Sequence, residues 1–364
     1  MSEWKKVKLG DILQVKKGDY ITKKEAREGI YPVILGGKEP AYFIDKYNHT
    51  GKAIVISRSG ASAGYVSFWN EPIFVTDGFL IDPKGEMTYE FLYYALKSKQ
   101  AILHKAQKGA AIPHVTPLLI GNIDFLLPDK DTQHRIATIL SRYDSLIENY
   151  QKQIKLLEEA AQRLYKEWFV DLHFPGHENT KIVDGLPEGW EKKPVDSIYS
   201  IKYGKNLSTK LISESGEFPV YGANGVIGYY DKANCNEQVV LITSRGNGSG
   251  DVLMTYHKDA FITNNSFIVS PLEDYSYCQL PFTYQFLKNA NFRAVRTGAA
   301  QPQLTNQSIH TVDVVLPSKD IIIDYCNKAS YSNKKIIILR NQIRLLTEAR
   351  DRLLPKLMSG EIAV

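Results

Sequence analysis

Slid 189 positions along itself, the sequence matches itself, and this duplication constrains the fold more than any other feature. Gly109-Ala110-Ala111-Ile112-Pro113 falls on Gly298-Ala299-Ala300-Gln301-Pro302, and Gln153-Ile154-Lys155-Leu156-Leu157 falls on Gln342-Ile343-Arg344-Leu345-Leu346. Residues 109–168 and 298–357 share 21 identities in 60 ungapped positions. Unrelated sequences of ordinary composition would share about four. Upstream the match continues with small register shifts. Trp4, Lys6, Ile12 and Gly18 pair with Trp190, Lys192, Ile198 and Gly204 at an offset of 186, and Ser57-Arg58-Ser59-Gly60 pairs with Ser244-Arg245-Gly246-Asn247 at 187. A period this long indicates two domains rather than a solenoid. Two like units suggest a pseudo-twofold arrangement.

Each copy has two parts. The first, 1–130 and again 186–318, reads as short strands broken by glycine. Ala53-Ile54-Val55-Ile56 and Val239-Val240-Leu241-Ile242-Thr243 carry the β-branched residues of strands. Glycine-rich turns follow them, and a helical stretch near Tyr89–His104 interrupts copy one. The second part is a long helix, 131–170 and again 319–358. Leu140, Tyr143, Ile147, Tyr150, Ile154, Leu157, Ala161, Leu164 and Trp168 alternate spacings of three and four, a sustained heptad seam. Ile336, Leu339, Ile343, Leu346, Leu353 and Leu357 repeat it, with Arg350 as a polar interruption. A narrow apolar stripe needs a partner stripe, and the other copy's helix supplies one. The alternative is that each helix packs on its own domain. At about 1.5 Å per residue the helices make a rod of roughly 50–60 Å. Residues 171–185, with Pro175 and Gly176, read as a linker, and 359–364 as a tail. The expected fold class is α+β, with two pseudo-twofold-related globular recognition domains separated by an antiparallel two-helix coiled coil.

Composition narrows the function classes. The 364 residues are 43% hydrophobic and 23% charged, the balance of a soluble globular protein. No apolar run approaches the roughly 18–20 residues that span a bilayer, and the charged start Met-Ser-Glu-Trp-Lys-Lys lacks a signal core. A cytoplasmic location without membrane attachment is expected. Cys235, Cys278 and Cys326 are too few and too scattered for a disulfide framework or a Cys-x-x-Cys metal pair. Of the eight histidines only His173 and His177 stand at a His-x-x-x-His spacing, and they lie in the Pro- and Gly-containing linker rather than on a helix face, so no metal site is expected. The net charge of +5 permits a nucleic-acid partner without demanding one.

Polar residues beside the duplicated turns are the candidates for DNA contact. Arg58 and Arg245 end strands before glycine-rich turns, flanked by Ser59 and Asn247. Arginine can bond guanine O6 and N7 together, and glycines let the backbone approach phosphate. An arginine holding its own turn through a carboxylate is the structural alternative. The loops Gly109–Thr116 and Gly298–Thr305 share a frame of Gly, Ala, Ala, Pro and Thr, but vary their polar residues: His114 and Thr116 in one, Gln301 and Gln303 in the other. A third pair of turns offers Lys38 and Asn224, and Asn224-Gly225 is a hairpin signal. Thr76-Asp77-Gly78 and Thr263-Asn264-Asn265 are expected to shape the fold rather than touch DNA.

Gly246-x-Gly248-x-Gly250 lacks the Lys-Ser/Thr of a phosphate loop. There is no Asn-Pro-Pro-Tyr of an amino-methyltransferase and no acidic helicase box. No catalytic residue, metal site or cofactor is expected.

The opening Trp4-Lys5-Lys6-Val7-Lys8-Leu9-Gly10-Asp11-Ile12, the phrase Asp131-Thr132-Gln133-His134-Arg135-Ile136-Ala137, the repeated heptad helix and the ending Leu353-Leu354-Pro355-Lys356-Leu357-Met358-Ser359-Gly360-Glu361-Ile362 resemble the specificity subunit of type I restriction-modification systems. The resemblance covers essentially the whole chain. It implies two target-recognition domains, each reading half of a bipartite site in double-stranded DNA, and a coiled coil that sets the spacer. It also implies two methyltransferase subunits as partners, and restriction subunits that join through the complex. The second helix departs from the pattern, with Ile321-Ile322-Ile323-Asp324 in place of the Gln-His-Arg start. Two other readings compete. A stand-alone hydrolase would need a clustered nucleophile and base, whereas the shared residues are glycines, prolines and heptad apolars. A coiled-coil adaptor without DNA contact would show no salt-dependent DNA binding.

Overall fold

The computed structural model describes residues 4–22, 24, 26–37, 39–60, 62–85, 87–105, 114–298 and 301–364. The chain divides into two compact units, Met1–Asn149 with Ile343–Val364, and Tyr150–Gln342.

In the first unit a four-stranded antiparallel sheet runs in the order Leu13–Lys17, Gly78–Pro83, Ala53–Ser57, Val66–Trp69. A three-stranded sheet places Tyr31–Ile34 between Tyr42–Ile44, which is antiparallel to it, and Phe74–Val75, which is parallel. Lys5–Lys8 pairs with Asp124–Leu127. Ala53–Ser57 is buried at every position because it is central in its sheet and covered on both faces. Helix Tyr89–Ser98, capped by the Thr88 hydroxyl on Phe91 N–H, lays Phe91, Leu92, Ala95 and Leu96 on Ile54, Ile56, Phe79 and Ile81.

The second unit repeats this plan. Its four-stranded sheet runs Tyr199–Tyr203, Ser266–Pro271, Val240–Thr243, Val252–Met254, and its three-stranded sheet centres on Phe218–Gly222. Glu191–Pro194 pairs with Asp313–Leu316. A helix also occupies Leu280–Asn289, with Phe282, Phe286 and Leu287 in the core. Between the copies, Asp184 and Gly185, both at positive φ (50° and 81°), turn a two-residue strand pair, Ile182–Val183 with Leu186–Pro187.

The long helices are Lys130–Phe169 and Lys319–Ser359. In the first unit the start of one meets the end of the other. Ile136, Ala137 and Leu140 pack in one core with Leu354, Leu357 and Met358, and Asp144 pairs with Arg350 at 2.5 Å. In the second unit Tyr165 and Trp168 pack with Ile322 and Tyr325, the Tyr325 hydroxyl donates to Ala161 O at 3.4 Å, and Arg340 pairs with Glu158 at 2.9 Å. Within each unit the helices run antiparallel.

Every seam residue named from the heptads is buried or half-buried. The two alternatives for the helices prove compatible, since Ile136, Leu140, Tyr165 and Trp168 also join the cores of the globular domains. The second seam begins earlier than its apolar residues suggest. Ile322, Tyr325 and Ala329 are buried, and Ser332 breaks the hydrophobic rhythm before Ile336 without breaking the helix. Arg350 fits the seam because Asp144 and Asp351 neutralise it there.

Candidate nucleic-acid interface

In each unit three loops converge at the end of the central strand of the four-stranded sheet. In the second unit, Val240–Thr243 and Val252–Met254 are joined by the turn Ser244–Asp251. Gly250 has φ 87°, and a Cβ there would stand 3.0 Å from the Arg293 nitrogen, so both conformation and space call for glycine. The loop ending at Thr305 is tied to this turn by Gly246 N–H to Pro302 O (3.0 Å) and Leu304 N–H to Ser244 O (2.7 Å). The Ala223-Asn224 hairpin turn joins them through the Thr243 hydroxyl, which donates to Ala223 O at 2.8 Å. A Cβ on Gly248 would lie 3.3 Å from Asn224 Oδ1. Among the described residues, the side chains of Asn224, Arg245, Asn247, Gln301 and Gln303 form no hydrogen bond. Arg245, Asn247, Gln301 and Gln303 are exposed.

The first unit has the same frame. Val115 N–H donates to Arg58 O at 3.0 Å, Gly64 N–H to Ser57 O at 2.8 Å, and the Ser57 hydroxyl to Gly37 O at 3.5 Å. Of the loop Gly109–Thr116 only His114, Val115 and Thr116 are among the described residues, and Lys38 lies outside them. His114 is exposed. The Thr116 hydroxyl is engaged in capping the helix Pro117–Gly121 by accepting from Leu119 N–H, as Thr305 caps the helix Asn306–Ile309.

The two arginines do not occupy equivalent positions, contrary to the offset of 187. Ile54 pairs with Ile81 and Val240 with Val269, so Val240 stands where Ile54 stands, 186 residues on. The turns keep this register. Gly64 N–H bonds Ser57 O as Gly250 N–H bonds Thr243 O, and Val115 N–H bonds Arg58 O as Leu304 N–H bonds Ser244 O. Arg58 therefore matches Ser244, which is fully buried, and Ser59 matches Arg245. Aligning identical letters hides the shift, because the sequences are Ser57-Arg58-Ser59-Gly60 and Thr243-Ser244-Arg245-Gly246. A one-residue slip in extended chain exchanges the faces on which side chains lie.

Their surroundings differ accordingly. Arg58 Nε lies 3.4 Å from the Asp77 carboxylate, its N–H donates to Asp77 O at 3.2 Å, and the Ser59 hydroxyl donates to the same carboxylate. No carboxylate pairs with Arg245 among the described residues. Asp77 thus shapes the turn, as its sequence suggested.

One further exposed residue lies beside these turns in each unit, Lys205 in the second and Tyr20 in the first. Lys205 exchanges backbone bonds with Ile262 and Asn264, and Tyr20, 86% exposed, follows Asp19, whose N–H bonds Val75 O. The match of Gly18 with Gly204 pointed to both, one and two residues further along.

Among the described residues no three His, Cys, Asp or Glu side chains cluster to hold a metal, and no helix is long and apolar enough to cross a membrane.

The family model for the type I restriction modification DNA specificity domain matches residues 1–159 and again 187–338. The chain is 27% identical over 343 residues to the specificity subunit of the type I restriction enzyme MjaIX of Methanocaldococcus jannaschii, covering 86% of this chain and 78% of that protein. It is 22% identical over 380 residues to the specificity subunit of the type I restriction enzyme HindI of Haemophilus influenzae, covering 79% of this chain and 80% of that one. The crystal structure of a type I restriction-modification S subunit from M. genitalium aligns with a TM-score of 0.62 at 23% identity, over 98% of this chain and 96% of that chain, a likeness of fold.

Proposed function

Because the chain belongs to the type I restriction-modification DNA specificity family and carries its domain twice, we propose that each domain reads one half of an asymmetric bipartite site in double-stranded DNA. The recognition domains are 1–130 and 186–318, the helices 131–170 and 319–358 fix the spacer, and the linker 171–185 and tail 359–364 complete the chain. The chain is a non-catalytic specificity subunit. It docks two methyltransferase subunits, and restriction subunits join through that complex in the cytoplasm. The observation that carries this reading is the convergence of three loops in each unit on a shared backbone frame with different polar side chains. A frame kept while its side chains change suits two readers of different sequences.

Base contact is assigned to Lys38, Ser59, His114, Asn224, Arg245, Asn247, Gln301 and Gln303. Thr116 contributes backbone position, since its hydroxyl caps a helix. Arg58 fills the position of buried Ser244 and is held by Asp77, so no base contact is assigned to it. The test is methylation by the chain with its methyltransferase subunits across a library of randomised half-sites. Two independent half-site preferences, each altered by substitutions in one domain only, are expected. A single symmetric preference would refute the assignment.

A further inference from the structure

Resting on the reading of these loops as DNA contacts, we propose that one opposed pair of residues determines specificity in each domain: Arg245 with Gln303 in the second unit and Ser59 with His114 in the first. Both pairs are antiparallel bridges, Arg245 to Gln303 and Ser59 to His114. They occupy the same position in the two frames once the register is taken from the strand ladders. Directly opposed residues of such a bridge project to one side, with Cβ atoms about 4.5–5.5 Å apart. Gln303 is fixed further by exchanging both backbone bonds with Thr297 at 2.8 Å. The pair thus stands on a braced backbone, while the Arg245 and Gln303 side chains form no hydrogen bond among the described residues.

The chemistry specifies the ligand. The arginine fork matches O6 and N7 of guanine, and the glutamine amide matches N6 and N7 of adenine, both in the major groove. Side chains rooted about 5 Å apart reach two neighbouring base pairs, since base pairs stack about 3.4 Å apart and each pair holds a single purine. The second domain therefore discriminates two adjacent base pairs, a G·C read by Arg245 and an A·T read by Gln303. In the first domain the same slots hold a serine bonded to Asp77 and an exposed histidine, so its half-site differs at the corresponding step. Arg58 is excluded from the pair. It fills the slot of buried Ser244 and is bonded at its N–H, its C=O and its Nε.

The experiment uses the full chain with its methyltransferase subunits on double-stranded oligonucleotides randomised in each half-site. Arg245→Ala and Gln303→Ala should each lose roughly 5- to 150-fold of discrimination, the worth of one bidentate contact, at two adjacent base pairs of one half-site. Arg245→Lys keeps the charge, so the salt dependence should stay at the wild-type slope while discrimination falls. Arg58→Ala should leave the order of preferred sequences intact in both half-sites and lower the melting temperature. The pair is overturned if its two members affect distant base pairs, or if only Asn224→Ala or Asn247→Ala changes preference; the loop reading then survives. If no substitution in these loops changes preference while all variants melt within a few degrees of wild type, the loop reading itself fails. A changed preference in Arg58→Ala overturns the exclusion of that residue.

Discussion

Asp77 holds residue 58 at two points, through its backbone carbonyl and through its carboxylate. Removing Asp77 should loosen the turn more than removing Arg58, because the Ser59 hydroxyl also donates to its carboxylate. With both side chains about a third exposed, Arg58→Ala and Asp77→Ala should each cost about 0.5–1.5 kcal/mol. The double variant should cost little more than Asp77→Ala alone, because adding Arg58→Ala removes an interaction already lost. Chemical denaturation of the four proteins checks this, and full additivity would show the two side chains to be independent. The thiols offer a second residue-level test. Cys278 is fully buried, and burial pushes its thiol up to about 12. The thiolate is the reactive form. At pH 8 in native protein, Cys278 should resist alkylation while half-exposed Cys235 reacts first, as read by peptide mass mapping. Labelling of Cys278 at the rate seen in urea would contradict its burial.

The long helices are held to their domains by polar staples as well as by apolar seams. In the first unit the Tyr94 hydroxyl donates to Asp144 at 2.6 Å, and Arg350 reaches the other oxygen of that carboxylate at 2.5 Å. The three groups thus link a domain helix to both long helices. In the second unit Arg340 bonds Glu158 and lies 3.8 Å from the ring centre of Tyr256, whose hydroxyl burial pushes up to about 12. Asp144→Ala leaves Arg350, only 21% exposed at its side chain, without its interhelical partner. A loss of about 1–3 kcal/mol is expected, since removing one partner leaves a desolvated charge. Asp144→Asn should retain the Tyr94 bond and lose less. Leu140, fully buried where helix and domain cores meet, should cost about 2–5 kcal/mol on truncation to alanine. Urea unfolding distinguishes these, and an unchanged midpoint for Leu140→Ala would contradict its place in the core.

At the scale of the whole molecule, a net charge of +5 spread over 364 residues supplies few phosphate contacts. Each phosphate neutralised contributes about 0.9 to the slope of log affinity against log salt. The chain alone should therefore bind DNA weakly and with a shallow slope, and both affinity and slope should rise when methyltransferase subunits are added. Fluorescence anisotropy at two salt concentrations measures both. Tight, site-specific binding by the chain alone at physiological salt would contradict the division of labour.

The duplication, the heptad seams, the glycine-rich turns and the family were legible in the chain itself, because each is a periodicity or a local preference that needs no partner to be seen. Within the long helices, 130–168 and 319–357 align without a gap because helices tolerate no insertion in a packed seam. The strand-rich parts drift between offsets of 186 and 188, because loops absorb insertions. There the match of identical letters misled: only the ladders, Ile54 with Ile81 and Val240 with Val269, separate Arg58 from Arg245. The earlier start of the second seam and the accommodation of Arg350 were also decided by tertiary packing. Arg350 reads as an interruption in sequence, yet the helix is continuous and Asp144, 206 residues away, supplies the missing partner. Long-range pairing cannot be read from local sequence because the residues that meet are chosen by register and closure of the fold. The braced pairs Arg245–Gln303 and Ser59–His114 exist only after that choice.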